Sequence, residues 1–104
     1  MTTAELLARE FPDFDLATLP AIPDGFLCCA WHNDSCPVWY DADPDALKAG
    51  TRMLTIDFAD PDMREWPECP RFTLHRVAVD DTSPEPVFST DVWDDMLKAL
   101  ANDG

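Results

Sequence analysis

Six side chains in this chain belong to the types that ligate metals or run thiol chemistry: Cys28, Cys29, His32, Cys36, Cys69 and His75. Their spacing argues against both uses. A structural zinc site offers two ligand pairs at C-x-x-C or H-x3-5-H intervals, and only His32 to Cys36 resembles one. Cys28 and Cys29 are adjacent, so on a strand they face opposite ways and do not share an ion. The run His32-Asn33-Asp34-Ser35-Cys36 holds a base, a carboxylate and a nucleophile, but contiguous residues of a turn do not converge on one point. The expectation is four reduced cysteines acting as packing residues, with His32, Asn33 and Asp34 forming a turn and His75 half-buried on a strand. No metal and no cofactor is implied.

Carboxylates are the other chemistry-bearing groups, and their number changes what a pair of them means. The chain has 21 Asp plus Glu against 7 Lys plus Arg, a formal net charge of -14 over 104 residues. At that density Asp57 with Asp60, Asp80 with Asp81 and Asp94 with Asp95 arise by chance, so they carry no signal for general acid and base catalysis. The segment Asp41-Ala42-Asp43-Pro44-Asp45 resembles the start of a calcium loop, but Ala46 and Arg52 stand where such a loop needs Gly and Glu.

What the carboxylates do form is a set of rows. Asp41, Asp43 and Asp45 alternate along one stretch, about 6.6 Å apart if it is extended. Asp57, Asp60, Asp62 and Glu65 make a second row, Asp80, Asp81 and Glu85 a third, and Asp91, Asp94 and Asp95 a fourth. Sixteen of the acids are Asp, whose short side chain fixes a charge near the backbone with few rotamers to lose. A surface so negative repels nucleic acid and anionic membranes and favours a basic partner. A solvated acidic surface with no partner accounts for the same composition.

The elements that position these rows are legible from periodicity and turn chemistry. Thr2 and Glu5 have capping-box spacing, and Leu6, Leu7 and Phe11 form an apolar stripe that Pro12 ends, which predicts a helix over 3–11. Residues 12–25 read as an extended segment laid over the core through Phe14, Leu16, Leu19 and Ile22. Phe26 to Trp31 and Cys36 to Asp41 flank the turn and pair as a hairpin, with Leu27 opposite Tyr40 and Cys29 opposite Val38, apolar on both faces and so covered on both. Asp43 to Gly50 carries the marks of a short helix. Thr51 to Phe58 alternates as a strand, 60–70 is a loop held by Met63 and Trp66, Arg71 to Val79 is a further strand, and Val87-Phe88 adds a short edge. Thr90 caps a last helix whose apolar positions are Val92, Trp93, Met96, Leu97 and Leu100, with Asp91, Asp94 and Asp95 in its first turn. Four Trp and six Phe argue against disorder. The fold class expected is α+β: one domain over 1–104, a mainly antiparallel sheet of four to five strands packed with N- and C-terminal helices.

With no apolar run near the roughly 20 residues of a membrane span, and a helix in place of a signal sequence, a cytoplasmic protein is expected. Its expected role is non-enzymatic: an acidic interaction protein mimicking nucleic acid and inhibiting a basic DNA- or RNA-binding host protein, itself binding neither nucleic acid nor membrane. The partner-facing residues are Asp41, Asp43, Asp45, Asp57, Asp60, Asp62, Glu65, Asp91, Asp94 and Asp95. In size and charge the chain resembles compact acidic phage-borne inhibitors, some anti-CRISPR and anti-restriction proteins among them, a likeness of composition that covers no motif. Two other classes remain open: a small thiol- or metal-dependent enzyme centred on His32 and Cys36, and an immunity or accessory module anchored by Trp39, Trp66 or Trp93.

Self-repulsion of this charge gives a first expected outcome. The melting temperature rises between about 0.01 M and about 0.15 M salt, because the screening length falls from roughly 30 to 8 Å. A flat profile in a thermal scan at the two concentrations contradicts a concentrated negative surface.

Overall fold

Alternation and antiparallel pairing build the molecule outward from Trp39, Leu54 and Leu74, which lie side by side on neighbouring strands. The computed structural model describes residues 2–42, 49–77 and 84–103. It has one five-stranded antiparallel sheet in the order β1-β2-β3-β4-β5: β1 Leu27–Cys28, β2 Val38–Tyr40, β3 Arg52–Ile56, β4 Phe72–Val77 and β5 Pro84–Thr90. Helix α1, Thr3–Glu10, precedes the sheet and α2, Trp93–Asp103, follows it. The α+β class, the antiparallel sheet and the two terminal helices agree with the sequence-based expectation. The segment Asp43 to Gly50 falls largely outside the described residues.

One sheet face carries the core. Trp39, Leu54, Ile56, Phe72 and Leu74 bury it against Leu7 and Phe11 of α1, Phe14 of the following segment, and Met96 and Leu100 of α2. Trp93 closes the α2 side against Phe72, ring centroids 5.0 Å apart. The α1 capping box forms as its spacing implies, with the Thr2 hydroxyl accepting from the Glu5 amide at 3.1 Å. At the far end of α2, Arg52 donates to the Leu100 carbonyl at 2.9 Å, meeting one of the acceptors a helix C-terminus leaves open. Among the described residues no helix is long and apolar enough to cross a membrane.

Several expectations are corrected here. The hairpin pairs Leu27 with Tyr40 as predicted, but its second face is covered only in part: Trp39 is buried on one side, while on the other Cys36 and Val38 are buried and Leu27 and Trp31 stand open to solvent. The short edge at Val87-Phe88 is the longest strand of the sheet. Pro84 and Pro86 disguise it, since Pro is tolerated only where a strand edge needs no donor, and the register shifts between Leu74 and His75 where Pro86 sits. Leu16 lies exposed in a short 3-10 turn. The loop 60–70 is not held by Met63 and Trp66, both exposed. The guanidinium of Arg64 holds it instead. Thr90 caps a turn ahead of α2 by accepting from the Val92 amide at 3.0 Å, which leaves Asp91 before the helix and only Asp94 and Asp95 in its first turn.

Burial predicts the stability map. Trp39→Ala removes a side chain 1% exposed and costs about 3–5 kcal/mol, whereas Trp31→Ala, 51% exposed, stays within about 0.5 kcal/mol. Urea unfolding of the two variants checks this, and equal losses contradict the assignment of the core face.

Candidate functional site

Two of the acidic rows meet at one end of the sheet. Asp57 follows β3, Arg71 precedes β4 and Asp91 follows β5, and antiparallel order sets these three strand ends next to one another. The backbone amide of Arg71 donates to Asp91 Oδ1 at 2.9 Å, and its Nε donates to the Asp57 carbonyl at 2.9 Å. Arg71 Nη2 reaches the Thr18 hydroxyl at 2.9 Å, and the guanidinium lies over the Phe14 and Phe72 rings. Beneath the loop, Arg64 donates to the carbonyls of Phe58 at 2.7 Å, Cys69 at 3.0 Å and Ala59 at 3.3 Å. Its side chain is 7% exposed and stands 3.9 Å from Asp91 Oδ1.

These two cations fix backbone, and the carboxylates around them are displayed. Asp60 caps a single 3-10 turn, Pro61–Met63, by accepting from the Asp62 amide at 2.9 Å. Asp60, Asp62, Glu65, Asp94 and Asp95 are exposed, and among the described residues none of them forms an ion pair. Asp94 and Asp95 lie in the first turn of α2, within about one 5.4 Å turn of Asp91. Asp57 differs: half-buried, it accepts from the Phe58 amide at 2.8 Å, and burial raises its carboxyl above the usual range.

The remaining candidates are placed differently. Asp41 is engaged twice by Arg52, whose amide and Nε each donate to it at 2.8 Å, so its charge is compensated within the fold. Asp43 and Asp45 lie outside the described residues, as do Asp80 and Asp81. Trp39 is core and Trp93 packs on Phe72, leaving Trp66 as the exposed aromatic of the three proposed anchors. His32 and Cys36 are each engaged elsewhere. His32 Nδ1 donates to Glu10 Oε1 at 3.0 Å on α1, while Cys36 is buried with its thiol pushed up to about 12 by burial and then by Asp57. A nucleophilic thiol needs the opposite shift. The hydrogen bond from His32 holds the Glu10 carboxyl below the usual range, so that contact stabilises the fold above the ordinary carboxylate range and is lost as pH falls through the lowered value.

The sheet face away from the core carries a cleft that sequence reasoning missed. Tyr40, Met53 and His75 share one row across β2, β3 and β4, and Val38, Thr55 and Thr73 share the next. With the turn at 34–36 and loop residues Trp66 to Arg71 they enclose about 470 Å³. The signal was the second set of alternating positions in β3 and β4, whose mixture of Met, Thr and His is too polar for a core face and too apolar for open solvent. Comparison with protein-family models, with curated proteins and with solved structures gives no match in any of the three.

Thiol reactivity follows from this geometry. At about pH 8, only about 10⁻⁴ of Cys36 is thiolate, so a disulfide reagent labels exposed Cys69 first. Labelling of Cys36 climbs about tenfold per pH unit. Mass-spectrometric mapping of the adducts reads both, and Cys36 reacting faster than Cys69 near neutral pH restores the thiol-enzyme reading.

Proposed function

We propose that this chain is a non-enzymatic acidic interaction protein whose charged sheet end enters a Lys- and Arg-lined groove in a nucleic-acid-binding protein. The observation that carries the reading is the meeting of Asp57 and Asp91, members of two rows remote in sequence, at Arg71, with Arg64 3.9 Å from Asp91; Asp60, Asp62 and Glu65 follow the first in the chain and Asp94 and Asp95 the second. Strand ends about 4.8 Å apart and helical turns of about 5.4 Å set these carboxylates at spacings of the order of phosphates along a strand. The scaffold is fixed by the hydrogen bonds of both guanidiniums, so little side-chain or loop order is lost on binding. An inhibitor of a DNA- or RNA-binding host protein, of the anti-restriction or anti-CRISPR kind, is the role such a surface fits. The compartment this implies is the cytoplasm, where such targets act.

The variant Asp62→Asn, Glu65→Gln, Asp94→Asn, Asp95→Asn removes four charges that no described ion pair uses. It is expected to fold as wild type and to lose at least about tenfold in affinity for a basic partner, with wild-type binding weakening steeply from about 50 to about 200 mM salt. Immobilised wild-type and variant chains, offered the same bacterial lysate, check this when duplex DNA and RNA are used as competing eluents. Proteins held equally by both chains, or held together with DNA, contradict the mimicry.

A further inference from the structure

The cleft lies beside the acidic sheet end, and its lining has a bias of its own. Its charged lining, among the described residues, is two carboxylates against one guanidinium. Asp57 and Asp34 contribute carboxylates to it, and the Thr55 and Thr73 hydroxyls already contact the Thr73 carbonyl at 3.4 Å and the Ser89 hydroxyl at 3.2 Å. Among the described residues the one cation of the lining, Arg71, is turned to the Asp57 carbonyl and to Thr18 on the far side. His75 lies in the wall with its Nδ1 buried and, among the described residues, without a hydrogen-bond partner. Burial lowers its imidazole below the usual range, so it adds no positive charge at neutral pH. Cys36, its thiol raised by burial and then by Asp57, lines the cleft as well. Trp66 lines the same space and is 54% exposed.

We propose that the cleft receives an arginine side chain presented by the basic protein partner, its stem against Val38, Met53 and Trp66 and its guanidinium between Asp57 and Asp34. This deepens the mimicry and rests on it for the identity of the partner. Charge complementarity selects a cation, and the shape of the lining selects arginine over lysine. Carboxylates on two separate elements suit a planar fork of five donors better than a point charge, and an exposed indole offers the guanidinium or its stem a face to stack on. The sheet end then supplies long-range attraction and the cleft supplies register.

The test is a nuclear magnetic resonance titration of the labelled full chain with the capped pentapeptide Gly-Gly-Arg-Gly-Gly, alongside its citrulline isostere, which keeps shape and loses charge. Expected are saturable shifts at the Trp66 indole and at the Thr73 and His75 amides, with citrulline at least about tenfold weaker. Asp57→Asn and, on the exposed turn, Asp34→Asn each weaken binding several-fold, the second guarding against a folding defect in the first. Equal binding of citrulline, non-saturating shifts at Asp62 and Asp94, methylguanidinium binding as tightly as the peptide, or no effect of either variant overturns the proposal. The chain lacking Asp62, Glu65, Asp94 and Asp95 charges still binds the peptide at the cleft. Peptide binding without a DNA-displaceable partner removes the mimicry and keeps the arginine site, and the reverse pattern removes the arginine site alone.

Discussion

The Arg64 guanidinium under the 59–70 loop is the contact on which the acidic end depends. A buried cation with only distant carboxylates is costly unless its donors are met, and here three backbone carbonyls meet them. Those bonds fold a proline-rich loop, whose one regular element is the 3-10 turn Pro61–Met63, into one shape. They also leave a positive charge beneath the loop, 3.9 Å from Asp91, which draws the start of the last helix toward the same place. Arg71 repeats the device one step away, binding the Asp57 carbonyl and, through its amide, the Asp91 carboxylate.

The use of scarce cations separates two kinds of acid in this chain. With 7 Lys and Arg for 21 acids, most carboxylates lack a partner whatever the fold does. Arg52 neutralises Asp41 directly, which ties the hairpin to the central strand and withdraws that carboxylate from any interface. Arg64 and Arg71 mainly engage backbone carbonyls instead, so Asp60, Asp62, Glu65, Asp94 and Asp95 stand without an ion-pair partner among the described residues, on a fixed frame. A protein that was acidic only for solubility has no need to hold its negative loop in one conformation. The neighbouring cleft adds a concavity lined by Asp34 and Asp57 to that frame, so charge and shape lie side by side.

Much of the fold was legible because it rests on local signals. The Thr2 and Glu5 cap, the hairpin register and the alternation of β3 and β4 each depend on residues a few positions apart. The last helix was legible in part: Trp93, Met96 and Leu100 of its apolar stripe face the core, whereas Val92 and Leu97 are exposed, and its start was misplaced because only tertiary contact with Arg71 decides what Asp91 does. The edge strand was hidden because Pro84 and Pro86 contradict strand propensity, and only their place at the sheet edge makes them tolerable. In the site, the acidic rows could be read but their meeting could not, because it is made by Arg64 and Arg71 binding backbone atoms, an arrangement with no sequence pattern. The cleft was missed for a related reason: apolar residues on both hairpin faces suggested two covering layers, where the second layer is a partial wall of loop.

The account holds that a basic partner sits on the end of the sheet where Arg64 and Arg71 gather the two acidic rows. Hydrogen–deuterium exchange of this chain, free and bound to a partner that duplex DNA displaces, locates that contact directly. Protection of backbone amides over 59–66 and 91–95, with 27–31 unchanged, is the predicted result. Protection confined to 27–31 or to the outer edge of β5, with 59–66 and 91–95 exchanging as in the free chain, contradicts it.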